Sequence, residues 1–154
     1  MTNSDMEKYY FYRLYVIDLD AAKHTFGVLK RYKRNDIRFC LLRDLVMCYS
    51  RPFSGNKGEN IPKHSMSESF VPKHLRPLHK ELLTVRNQLF AHHDYTYRKP
   101  KIANWSTPTR KIFPMSFRGY DCGKLDARLA EIKELVNLVA ENLNREIDTL
   151  EKNL

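Results

Sequence analysis

The stretch Glu81-Leu82-Leu83-Thr84-Val85-Arg86-Asn87-Gln88-Leu89-Phe90-Ala91-His92-His93-Asp94 has an apolar helical period and ends in a cation, two imidazoles and a carboxylate. On an ideal α-helix each residue advances by about 100°. Arg86 therefore projects among Leu82, Leu89 and Phe90, and His93, seven residues on, returns to nearly the same azimuth. A guanidinium in an apolar stripe must find an acceptor or face a cleft, a subunit interface or a phosphate, because burying an unpaired charge is costly. Asn87 and His92 lie further round and meet Arg86 only where the helix frays or a second copy approaches.

Toward the N-terminus this helix opens near Pro72, a residue favoured in a first turn, and turns Leu75, Leu78, Leu82, Val85 and Leu89 toward a core. It is the third of four helices. The first spans about Met6 to Lys33, with Tyr10, Leu14, Ile17, Ala21, Val28 and Leu29 as its core face and Gly27 as a weak point. The cluster Tyr9, Tyr10, Phe11, Tyr12 and Tyr15 is too aromatic for one core face, so some of these rings are expected to cover a partner subunit or wrap the domain's own core. Arg31-Tyr32-Lys33-Arg34 closes this helix and Asn35-Asp36 caps the second. That second helix runs from about Ile37 to Tyr49, burying Ile37, Leu41, Leu42, Leu45, Val46 and Cys48, and Pro52 stops it. Arg51 to Val71, rich in Gly, Ser, Asn and Pro, reads as a loop, either a plain connection or a Lys-bearing contact to phosphates.

After Gly123 the fourth helix places Leu125, Leu129, Ile132, Val136, Val139, Leu143, Ile147 and Leu150 at alternating four- and three-residue spacing, the narrow stripe of a bundle seam. The expected fold is all-α: a single domain over residues 1–154, an antiparallel four-helix bundle with a long loop between helices 3 and 4. That loop, 95 to 122, lacks a helical period, and short extended pieces or a hairpin fit Lys111-Ile112-Phe113 and Ser116-Phe117. It interleaves Arg98, Lys99, Lys101, Arg110, Lys111 and Arg118 with Tyr95, Tyr97, Trp105, Phe113, Phe117 and Tyr120. Cations for a backbone and rings for unstacked bases are what binding of single-stranded RNA uses, while rings that pin a loop to the bundle would give the same composition.

The bulk properties agree with a nucleic-acid partner. The 154 residues hold 27 Lys and Arg against 18 Asp and Glu, a net charge of +9, and such an excess favours a polyanion. Cys40, Cys48 and Cys122 form no CxxC pair and leave an odd count, which argues for a reducing compartment and against a disulfide framework or zinc site. Cys40 and Cys48, eight apart, are expected to pack together on one helix face. No stretch approaches the roughly 18 apolar residues of a membrane span and no leader pattern opens the chain, so a cytoplasmic protein with no membrane partner is expected. His24, His64, His74, His79 and the adjacent His92-His93 form no ligand set, and no metal or other cofactor is expected.

Arg86-Asn87 followed by His92 and Asp94 resembles the signature of the HEPN superfamily of small helical ribonucleases, an arginine and a polar residue with a histidine four to six residues further on. The wording Arg-Asn-Gln-Leu-Phe-Ala-His-His-Asp is similar to the abortive-infection (AbiU-like) branch, as is Tyr49-Ser50-Arg51-Pro52-Phe53-Ser54-Gly55-Asn56 before the third helix. The resemblance covers about residues 8 to 150. It implies a metal-independent endoribonuclease, a toxin or phage-defence effector, leaving 2′,3′-cyclic phosphate and 5′-hydroxyl ends. It implies a composite site at a homodimer interface, with Arg86 on the scissile phosphate, Asn87 orienting it and His92 as acid or base.

Elementary chemistry allows the same roles. Histidine titrates near neutral pH and can move the two protons, and arginine gives a fixed bidentate cation to the phosphorane-like transition state. Helix geometry favours His93 for the proton, the resemblance favours His92, and His93 then supports it. The resemblance also implies a possible antitoxin, nucleotidyltransferase-like or other, that modifies Tyr95, since a tyrosine two residues past the histidine is the modified position and His93-Asp94-Tyr95 has that spacing. Against this stands a different class: a non-catalytic helical module that binds RNA or a protein partner through the same basic groove.

Overall fold

In the computed structural model, which describes residues 3–56, 63–90 and 95–152, the chain is mostly helical with one two-stranded sheet among the described residues. Helix α1 (Asn3–Arg31) carries two apolar stripes. The buried one is Tyr12, Tyr15, Leu19, Ala22, Phe26 and Leu29, which packs against α2 (Asn35–Ser50) and α6 (Leu129–Glu151). The expected core face lies on the other side: Tyr10, Leu14 and Ile17 are 58%, 55% and 65% exposed, Ala21 is exposed and Val28 half-buried. Both stripes keep three- and four-residue spacing, so the period identifies a helix without saying which side turns inward. The inner stripe holds more ring area, and Tyr15 finds a polar partner there, as a buried phenol requires. Gly27, exposed, does not interrupt the helix.

Ion pairs set the helix directions. Lys8 and Tyr9 reach Glu146 and Glu151 at the end of α6, each at 2.9 Å. At the other end of α1, Arg38 donates to the Leu29 and Tyr32 carbonyls, both at 2.8 Å, and forks onto Asp126 in the short helix α5 (Gly123–Ala127). Arg38 thereby satisfies carbonyls that the end of a helix leaves open. Thr25 with Asp44 and Asp18 with Arg51, both at 3.1 Å, fix α2 antiparallel to α1.

Helix α2 buries Leu42, Leu45, Val46, Cys48 and Tyr49, while Ile37 and Leu41 are only half-buried. Cys40 is exposed and Cys48 buried: eight residues set the two about 80° apart around the helix, and only Cys48 falls among the inward Leu45 and Tyr49. Neither Asn35 nor Asp36 caps the helix: both lie inside it, Arg34 precedes it without a side-chain cap, and Asp36 instead pairs with Arg34 at 2.6 Å. The 51–71 segment is more than a plain connection. Asn56 and His64 exchange backbone bonds of 2.8 and 2.7 Å, Met66 and Val71 are buried, and one 3₁₀ turn forms at Glu68–Phe70. Residues 57–62 lie outside the described residues.

A 3₁₀ turn, Lys73–Leu75, leads into α3 (Arg76–Val85). Its expected core residues Leu75, Leu78, Leu82 and Val85, with Leu89 beyond its end, are all buried. The fourth helical segment is broken: α5 and α6 meet at Arg128, whose guanidinium ties Glu81 of α3 at 2.5 Å and Glu131 at 2.8 Å. Along α6, Ile132, Leu135, Val136, Val139 and Leu143 are fully buried, each contributing about 1.5–3 kcal/mol on removal from water. Leu129 and Leu150 are half-buried at its ends.

The 95–122 segment has structure of its own. One helical turn, α4 (Tyr95–Arg98), ends where Lys99, at φ 41°, donates its N–H to the Tyr95 carbonyl at 3.0 Å. Strands β1 (Lys101–Ile102) and β2 (Met115–Ser116) then pair antiparallel. The ladder continues through Ala103 to Pro114, Trp105 to Ile112 and Thr107 to Arg110, the turn being Thr107-Pro108-Thr109-Arg110 with proline at its favoured second position. A hairpin was expected, but over 111–117 alone; its first strand lies ten residues earlier. Among the described residues no helix is long and apolar enough to cross a membrane.

Candidate functional site

At Arg86 the chain leaves α-helical geometry. Arg86–Phe90 forms a π-helical turn, with i→i+5 bonding that turns less per residue, a device frequent at functional sites. The azimuth argument that favoured His93 over His92 assumed an unbroken α-helix and loses its basis here. His92 and His93, with Ala91 and Asp94, lie outside the described residues.

Arg86 is half-buried, as its place in the apolar stripe requires. Its Nη1 donates to Asn87 Oδ1 at 2.7 Å, so the adjacent pair expected to serve one phosphate is joined. Its buried Nε has no partner among the described residues. Nearby packing holds the turn in place: Leu89 is buried, and Phe90 stands edge-on to Phe39 of α2 with ring centres 6.3 Å apart. Five residues before Arg86, the Arg128–Glu81 pair ties α3 to the start of α6. Beside this end an open cleft is lined by Asn35, Arg38, Phe39, Leu42, Asp121, Cys122, Gly123 and Asp126. There Arg38 pairs with Asp126, Asp121 adds a second carboxylate, and Arg86 is not among the lining residues.

The five expected RNA-binding cations gather on the arm that follows. Lys99, Lys101, Arg110 and Lys111 are exposed, and Arg98 is half-buried with its Nε unpartnered among the described residues. Tyr95, Arg98, Pro100 and Phe117 line a second open cleft. The arm's rings do not pin it to the bundle: Tyr95, Trp105, Phe113 and Phe117 are 76%, 68%, 56% and 59% exposed. Among the described rings of the segment, Tyr120 alone packs half-buried against the core.

Two histidines that the motif reading left aside prove structural. His79 is buried, with Tyr49 Oη 2.8 Å from its Nδ1 and Phe53 against its edge. Burial holds the His79 imidazolium below its ordinary range and pushes the Tyr49 phenol far above its own. His64 stacks on Phe11 at 4.7 Å and meets Tyr15 Oη at 2.7 Å, and burial lowers its pKa too. The signal for His79 was its spacing, one turn after Leu75 on the inward stripe. Burial raises the thiols of Cys48 and Cys122, which makes neither a ready nucleophile. No cluster of three or more His, Cys, Asp or Glu side chains suited to a metal occurs among the described residues. No family model, curated protein or solved structure matches the chain.

Proposed function

We propose that this chain is a metal-independent endoribonuclease of HEPN type, a cytoplasmic toxin or abortive-infection effector whose four helical segments (α1, α2, α3 and α5–α6) make an antiparallel bundle. The observation that carries the reading is Arg86: a half-buried guanidinium in a π-helical turn, joined to Asn87, with an Nε lacking a partner among the described residues. His92 and His93 follow six and seven residues later.

In this reading Arg86 binds the scissile phosphate and Asn87 orients it. One imidazole takes the 2′-hydroxyl proton as the 2′-oxygen attacks phosphorus, and a second protonates the departing 5′-oxygen. The products are a 2′,3′-cyclic phosphate and a 5′-hydroxyl. Two copies in a homodimer supply the two proton carriers, His92 with His93 in support. Lys99, Lys101, Arg110 and Lys111, with Arg98, hold the RNA backbone, and Tyr95, exposed beside them, is open to modification by an antitoxin of nucleotidyltransferase or other type.

The test is incubation of labelled single-stranded RNA and transfer RNA with the protein in EDTA, followed by identification of the product ends. Cyclic-phosphate ends that disappear with Arg86→Ala support the nuclease. The exposed rings of the arm favour a second reading, a non-catalytic RNA-binding or protein-binding module; retained RNA affinity without cleavage would favour it.

A further inference from the structure

The outward stripe of α1 is built for another helix. Tyr10, Leu14, Ile17 and Ala21 follow spacings of four, three and four, the repeat of a coiled-coil seam, and His24 and Val28 continue it. Tyr10, Leu14 and Ile17 are each more than half exposed, although the inward stripe of the same helix already supplies its contacts to α2 and α6. A helix needs one apolar stripe to join a bundle, and a second one calls for a partner.

We infer that this seam pairs antiparallel with the same seam of a second copy of the chain. The flanking charges select both the occupant and the register. Arg13 and Asp20, seven residues apart, lie on the same side of the seam. When Leu14 faces Ile17 of the second copy, bulky Tyr10 faces small Ala21, Glu7 faces His24, and each Arg13 runs beside the other copy's Asp20. Sliding by one heptad in either direction brings Arg13 against Arg13 or Asp20 against Asp20, which is repulsive. A parallel pair stacks Tyr10 on Tyr10 and His24 on His24, and aims Arg13 at Asp18, which Arg51 already occupies at 3.1 Å. Within one chain the two selecting charges are loosely held: Arg13 is 3.9 Å from Glu151 and Asp20 3.5 Å from Lys23, with side chains 58% and 62% exposed.

From Tyr10 to Val28 the seam is about 27 Å long at 1.5 Å per residue. One helix pair of that length buries less than the roughly 800 Å² per partner of a standard interface, the size of weak, reversible contacts. Arg86 belongs to the α3 end, where Phe90 packs on α2, and the seam lies on the side of α1 away from α2. The contact is therefore separate from the composite site proposed above, and the two stand or fall independently.

Sedimentation of the full chain across the micromolar range tests the inference. The wild type is expected to associate reversibly, to a dimer through the seam alone and beyond a dimer where the composite site pairs as well, the seam step being the one the seam variants read. Leu14→Glu with Ile17→Glu, both at exposed positions, is expected to weaken the dimer at least about tenfold with unchanged far-ultraviolet circular dichroism and melting. Arg13→Glu alone and Asp20→Arg alone weaken it, and the double reversal restores it, while Arg86→Ala leaves it unchanged. A monomeric wild type, a double reversal no better than the single changes, or a dimer lost with Arg86→Ala and kept in the seam variant would each overturn the inference.

Discussion

Helix α6 and the hairpin arm are both rich in apolar residues, and the chain treats them in opposite ways. Ile132, Leu135, Val136, Val139 and Leu143 of α6 have no exposed surface, whereas Ile102, Trp105, Phe113, Met115 and Phe117 of the arm are 51–68% exposed. The contrast follows from period. Apolar residues of α6 recur every three or four positions and gather on one side. In the arm the pairing of Ile102 with Met115 puts Trp105 and Ile112 on one face and Ile102, Phe113 and Met115 on the other. A lone two-stranded hairpin has no interior in which to bury both faces, and it is marginal in water by itself. Apolar side chains in α6 are thus accounted for by the fold, and those in the arm are left uncovered by it.

Stability measurements would break this comparison most sharply. Leu143→Ala is expected to cost about 2–5 kcal/mol in denaturant unfolding, and Trp105→Ala no more than about 0.5 kcal/mol. Equal costs would mean that the arm is packed. RNA affinity should reverse the ranking. Trp105→Ala and Phe113→Ala are each expected to weaken single-stranded RNA binding by about 1–3 kcal/mol in fluorescence anisotropy, the worth of a base stacked on a ring. Lys101→Ala and Lys111→Ala should each lower the slope of log affinity against log salt by about 0.7, and Leu143→Ala should change neither quantity while the protein stays folded.

Acid sharpens the same contrast, because the buried histidines belong to the bundle. In the folded protein His79 and His64 hold protons less readily than in the unfolded chain. Their contribution is present above the ordinary histidine value of about 6.5 and is lost as pH falls through the lowered folded value, with a limiting slope near 1.4 kcal/mol per pH unit for each group. Urea unfolding between neutral and mildly acidic pH should show this loss, and His79→Gln should flatten it; Trp105→Ala should not. Within the bundle a small effect is expected at the joint between α3 and α6. Arg128→Ala removes partly exposed bonds to Glu81 and Glu131, and the melt should register at most about 1 kcal/mol.

Legibility in the sequence divides along the same line. The inward residues of α3 and most of those of α6 could be named from spacing because polar residues fill their remaining positions. Helix α1 could be recognised but not oriented: Tyr10, Leu14 and Ile17 form as regular a stripe as Tyr12, Tyr15 and Leu19, and only packing against α2 and α6 chooses between them. The hairpin's first strand at Lys101–Ile102 was hidden because the arm lacks the polar–apolar alternation of a half-buried strand. Arg86 and Asn87 could be singled out from residue type and spacing, since a cation in an apolar stripe needs a reason. The π-helical turn that presents them has no counterpart in the hydrophobic period.

The role of Arg86 is tested by single-turnover cleavage of saturating single-stranded RNA in EDTA by the wild type and Arg86→Ala, with binding measured in parallel. Wild-type protein is expected to give cyclic-phosphate products, and Arg86→Ala to bind RNA without cleaving it. Cleavage at the same rate by both proteins would contradict the assignment of Arg86 to the reacting phosphate.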